Sequence, residues 1–201
     1  MADRGRVGKG IVILLAALYA LNRLVCGDVR PPDGVLAPSP PLQEAAAEAL
    51  RWTIADHQLT ALARYEIEAR VLGTERYRYD RGAALSPIDF AVGWGPMSAN
   101  AVLDTLTISQ YGRFFFYRTT EAPLIEFSEM GRHAANMHLI PADDAIRRTL
   151  LAVRTGQVVT LRGWLVAAQG VGGFRWRSSL TRNDTGGGSC ELMLVEDVSV
   201  R

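Results

Sequence analysis

Lysine is almost missing from this 201-residue chain: 21 of its 22 basic residues are arginine, and Lys9 is the exception. The net charge is only +1, so no overall basic or acidic bias points to nucleic acid or an acidic polymer as a partner. Two cysteines, Cys26 and Cys190, are too few for a disulfide framework. Three histidines lie scattered, with no C-x-x-C and no H-x-x-x-H, so the sequence calls for no metal and no cofactor. Proline is sparse outside one stretch: five of the nine prolines fall between Asp28 and Pro41. Apolar residues make up 48% of the chain and charged residues 21%, enough for one sizeable core.

One long apolar run is present, and it stands at the start. Arg4, Arg6 and Lys9 precede an uncharged stretch from Ile11 to Leu21, which Leu24 and Val25 extend past Arg23. Residues 10–27 just reach the lower limit for a membrane-spanning helix, about 17 residues, if Arg23 snorkels to the interface. Residues 1–27 are therefore expected to be a signal-anchor. The basic flank sets the N-terminus in the cytoplasm of a bacterial inner membrane and the remainder in the periplasm. Cleavage after Gly27, or a lipoprotein signal at Cys26, are the competing readings. Residues 28–41 read as a Pro-rich linker, a semi-extended spacer lifting the domain off the membrane.

Residues 42–201 read as one β-rich α+β domain with two or three helices and about seven strands. A barrel-like sheet is expected, with an oligonucleotide-binding (OB) type barrel as one form of it. A helix is expected over Leu42–Arg64, from helically spaced Ala46, Leu50, Ile54, Ala61 and Leu62, with His57 as a helix residue beside that stripe. Alternation predicts a strand from Tyr65, another over Ile88–Trp94, and a strand pair bent around Gly112 within Thr107–Thr119. Ser98 is expected to cap a short helix, and Asn136–Ile140 to form a strand. A helix then starts at Pro141–Asp143 with acids first and arginines later, and Gly156 stops it. Three strands joined by glycine-rich turns close the chain: Val158–Ala168, Phe174–Arg182 and Cys190–Val200.

"FRWRSSLTR" sets Phe174, Trp176, Ser178 and Leu180 on one strand face and Arg175 and Arg177 on the other, with Arg182 at the end. Arginine interleaved with an aromatic suits an anionic ligand. Arg175, Trp176, Arg177 and Arg182 are the candidate binding residues, and outside the cytoplasm a lipid headgroup, cell-wall fragment or envelope protein fits better than nucleic acid. Asp184-Thr185-Gly186 matches the tripeptide of aspartic proteases, but the strand before it is polar, and the turn reading prevails. "FFFYR" at Phe114–Arg118 reads as a core strand, and Trp94 as an anchor for its loop.

The candidate catalytic set is His138, Cys190 and Arg201: a thiol, a base to activate it and a cation for an oxyanion. In the order of anchor, β-barrel, histidine, cysteine and arginine, the chain is similar to sortase transpeptidases. That resemblance implies a cysteine transpeptidase or hydrolase, although "GGGSC" stands where those enzymes carry Thr-Leu-x-Thr-Cys. The stretches "IDFAVGWGPMS", "NMHLIPA" and "WRSSLTRNDTGGGSCE" resemble a group of single-pass membrane-anchored bacterial envelope proteins. This second resemblance implies a class and a location but no mechanism. The leading expectation is a non-catalytic periplasmic binding or scaffolding module. The alternatives are the cysteine enzyme and an accessory subunit of an inner-membrane complex, recognised through its anchor.

Overall fold

The structure is a computed structural model, and it describes residues 27–48, 50–181 and 189–201. The expected anchor segment, Arg182 and the Asp184–Gly186 tripeptide lie outside the described residues. Among the described residues, no helix is long and apolar enough to cross a membrane.

The described chain is a β-rich α+β domain with three short helices. Its strands are β1 (Leu42–Ala45), β2 (Arg51–Ile54), β3 (His57–Arg76), β4 (Ile88–Gly93), β5 (Thr107–Tyr111), β6 (Phe114–Arg118), β7 (Ala134–Pro141), β8 (Val158–Gly170), β9 (Phe174–Arg177) and β10 (Glu191–Val200). The helices are α1 (Asn100–Leu103), α2 (Phe127–Arg132) and α3 (Asp144–Ala152), with 3₁₀ turns at Gly95–Ser98 and Val171–Gly173. Paired strands run β3-β4-β7-β10-β8, and β8 pairs back onto β3, so these five form a ring. All its pairings are antiparallel except β7 with β10, which are parallel. β1 and β2 border the first half of β3, β9 borders β8, and β5–β6 form a separate hairpin.

The ring closes around one core. β3 supplies Tyr65, Ile67, Ala69 and Val71, and β4 supplies Ile88, Phe90 and Val92. Met137, Leu139, Leu161, Leu165, Met193 and Val195 complete it from the other three strands. Each fully buried large aliphatic or aromatic side chain contributes about 1.5–3 kcal/mol. A second cluster, with Leu59, Ile140, Val166 and Leu192, packs under β9. A third, with Met97 and Met130, lies under the β5–β6 hairpin.

The helix expected over Leu42–Arg64 is not formed; this stretch is β1, β2 and the start of β3. From His57 to Ala69 buried and more exposed residues alternate without a break. That period-2 pattern, paired to β8 from Gln58 onward, overrides the helix propensity of the alanines. A two-residue turn at Ala55 and Asp56, both with positive φ, joins β2 to β3, so His57 is a strand residue. Ser98 does not cap α1, whose N-cap is Ala99 without a side-chain bond. Instead its Oγ accepts the amides of Leu36 and Ala37 at 3.0 and 3.2 Å and donates to the Gly95 carbonyl at 2.7 Å.

Those bonds belong to a strap. Residues 28–37 lie docked on the ring rather than extended away from it. Val29 N donates to Thr155 O at 2.8 Å, Arg30 makes a bidentate pair with Asp104, and Asn100 donates to Pro31 O. Gly156, at φ +91°, turns the chain where a Cβ would fall 1.7 Å from the Val29 carbonyl oxygen. The expected helix is present as α3, capped by Asp143, whose Oδ1 accepts the Ile146 amide at 2.8 Å. The β5–β6 hairpin also agrees with the sequence pattern, whereas the strand expected from Phe174 to Arg182 is shorter: β9 ends at Arg177 and pairs with β8.

Candidate functional site

The outer face of β4 and β7 carries charge where such a sheet would ordinarily be apolar or wet. Asp89 and His138 are directly opposite in the antiparallel register. Asp89 is fully buried, and His138 is 3% exposed. His138 Nδ1 lies 2.9 Å from Asp89 Oδ2, an ion-pair distance at which the angle for a hydrogen bond is not met. Two residues along β7, the side chain of Asn136 joins the same face.

The cation that answers Asp89 comes from the tip of the β5–β6 hairpin. Gly112 and Arg113 both have positive φ, the geometry of the tight two-residue hairpin turn. An arginine in that region is uncommon and needs its surroundings to hold it. Here they do. Arg113 Nη1 donates to Asp89 Oδ1 at 2.7 Å, while Nε and Nη2 grip both oxygens of Asp80 at 2.9 Å. The guanidinium carbon stands 3.6 Å from the Tyr77 ring centroid, and the Arg113 amide donates to the Tyr77 hydroxyl at 3.0 Å. Burial, with Asp89's charge, pushes the Tyr77 phenol up to about 12. Burial also pushes the Asp80 carboxyl up, but Arg113's bonds and charge outweigh it and hold the group below its usual value.

Cys190 sits at the mouth of β10, where the parallel register continues opposite Asn136. Its Sγ lies 3.8 Å from the Arg113 carbonyl, to which it donates, and 3.9 Å from Asn136 Nδ2, from which it accepts. Asn136 also donates to the Arg113 carbonyl at 2.9 Å and accepts from Gln110 at 3.0 Å. Trp176, on β9, covers His138 with ring centroids 4.6 Å apart, and its ring lies 5.2 Å from the Arg113 guanidinium carbon. Gly82 is required beneath it: a Cβ there would fall 2.7 Å from the Trp176 ring.

These residues enclose a cleft of about 340 Å³, lined by Arg113, Phe114, His138, Arg175, Trp176, Arg177 and Cys190. Arg175 and Arg177 are exposed and make no ion pair or side-chain hydrogen bond among the described residues. A neighbouring cleft of about 300 Å³ begins on the other side of Phe114 and Cys190 and runs along Phe116 and Gly131. Phe114 and Phe116 are 39% and 52% exposed, whereas Phe115 and Tyr117 pack inward, so the aromatic run is half core and half surface.

Of the residues picked from sequence, the structure brings together His138, Cys190, Arg175, Trp176 and Arg177. Arg201 stands beyond the far end of β10, roughly 35 Å of extended chain from Cys190. There its guanidinium pairs with Glu68 at 2.6 Å and donates to Leu36 O at 2.7 Å. The sequence reasoning missed Asp80, Asp89, Arg113 and Asn136. Asp89 did leave a signal: it is an acid inside "IDFAVG", a run otherwise fit for burial.

The fold and cleft define a β-rich domain with a charged, aromatic-lined cleft on the outer face of a strand ring. Compared with known proteins, the chain matches no protein-family model, no curated protein and no solved structure.

Proposed function

We propose that this protein is a non-catalytic binding module, held at a bacterial inner membrane by residues 10–27 with its domain in the periplasm. It takes an anionic envelope ligand in the cleft beside Trp176. One observation carries the reading: Arg175 and Arg177, two exposed arginines without acid partners among the described residues, flank an aromatic that floors a cleft. A ring of the ligand stacks on Trp176 and its acid group meets the arginines. An OB-type barrel is the matching architecture. What supports it is the five-strand ring, its single parallel pair and α3 lying between β7 and β8. Barrels of this type bind on one outer face and its neighbouring loops, where the cleft lies.

The test is a titration of the full-length chain in uncharged detergent with an acidic cell-wall muropeptide and with its amidated, uncharged form. The acidic form is expected to bind, and Arg175→Ala with Arg177→Ala to weaken it at least tenfold. Equal binding of the two forms, or none, would overturn the reading.

A second reading has its own support. His138 and Cys190 line one cleft, and Asp89 stands 2.9 Å from the imidazole, on the side where the orienting acid of a Cys–His–Asp arrangement would be. Against it, the thiol donates its proton to a backbone carbonyl, and Trp176 covers the histidine.

A further inference from the structure

Arg70 occupies the face of β3 that carries Glu66 and Glu68 toward solvent, yet it is only 7% exposed. The chain around Ser98 and the docked strap close over it. A buried charge ordinarily has a counter-ion, because removing it from water is costly. Among the described residues Arg70 makes no ion pair, and its guanidinium donates a single hydrogen bond, from Nη1 to Ser98 O at 3.1 Å. A guanidinium has five N–H donors. The group lines a cleft of about 380 Å³ together with Arg30, Leu103, Asp104, Thr155 and Asp28. Both carboxylates on that wall are engaged elsewhere or stand apart. Asp104 is held bidentate by Arg30 at 2.9 and 2.7 Å, and Asp28 makes no ion pair with Arg70. Burial pulls the Arg70 guanidinium below its ordinary value, and the charge of Arg30 adds to the fall while Asp104 opposes it.

We propose that the Arg70 cleft is a second binding site, separate from the one at Trp176, and that it takes a phosphate-type oxyanion. Arg70 supplies a planar donor fork fixed by burial, and Arg30 stands at the rim, where an incoming oxyanion shares it with Asp104, its bidentate partner. The oxyanion has two sources: a free phosphate ester or a phospholipid headgroup. The second source rests on the membrane reading, because Asp28, on the cleft wall, directly follows the apolar segment 10–27.

The experiment is thermal unfolding of the full-length chain in uncharged detergent micelles with inorganic phosphate, against chloride at equal ionic strength. At about 100 times the dissociation constant the midpoint is expected to rise by roughly 5–10 °C. Arg70→Gln abolishes the rise, while Arg175→Ala with Arg177→Ala retains it. Arg30→Gln, which leaves the buried residue in place, weakens phosphate severalfold. No rise in the parent protein, or an undiminished rise in Arg70→Gln, overturns the proposal. Micelles doped with phosphatidylglycerol separate the sources. A rise from the lipid alone, with no further gain from phosphate, identifies the headgroup. A phosphate response unaffected by the lipid identifies the free anion and tells against the headgroup while leaving the site intact.

Discussion

Arg113 and Arg70 are both drawn away from solvent against the outer face of the strand ring, and the protein treats them in opposite ways. Arg113 is well paired: two carboxylates and a hydroxyl within 3.4 Å take four of its five N–H donors, and an aromatic ring covers its plane. Arg70 has one carbonyl among the described residues. A buried arginine paired with two carboxylates serves the fold, here by riveting the β5–β6 hairpin to β4 and the loop before it. A buried arginine with donors to spare costs stability in the absence of a ligand, and the cost makes sense when an anion arrives from outside.

The largest expected effect breaks the well-paired side. Arg113→Met leaves Asp89 buried without its cation and should destabilise the protein by about 3–5 kcal/mol in urea unfolding. It should also free the hairpin, seen as increased amide exchange over β5 and β6. A loss of under about 1 kcal/mol would mean that the network is ornamental. The smallest effect belongs to the other arginine. Arg70→Met in phosphate-free buffer should change stability by no more than about 1 kcal/mol, or raise it, since an apolar side chain of similar length replaces an uncompensated charge. A loss as large as that of Arg113→Met would erase the distinction and make Arg70 a structural residue.

The sequence carried this difference unevenly. Within "EIEAR", Arg70 falls in the same alternation as Glu66 and Glu68, and nothing local sets it apart. Its cover comes from the turn around Ser98 and from the strap, which are far away in the chain. Asp89 was more legible, as an acid in an apolar strand, but its partner at the hairpin tip is 24 residues on. The strands themselves, β4, β7, β8 and β10, follow from alternation and apolar runs. The alanine-rich entry to β3 misled because its small residues suit either period, and only pairing with β8 decides between them. The cleft residues Arg175, Trp176 and Arg177 were readable because one short strand holds all three. Arg201 was misleading for the converse reason: nearness in sequence to Cys190 becomes a full strand length in space.

In the function proposed above, the His138 and Cys190 cleft binds a ligand and the thiol plays no catalytic part. The alkylation rate of Cys190 at pH 7, in a full-length chain carrying Cys26→Ser, tests it most directly, because a thiol activated by a paired base reacts as a thiolate. A binding cleft should give a slow reaction that His138→Ala changes by less than about twofold. A fast reaction that falls tenfold or more in His138→Ala would contradict it and make the cleft an active site.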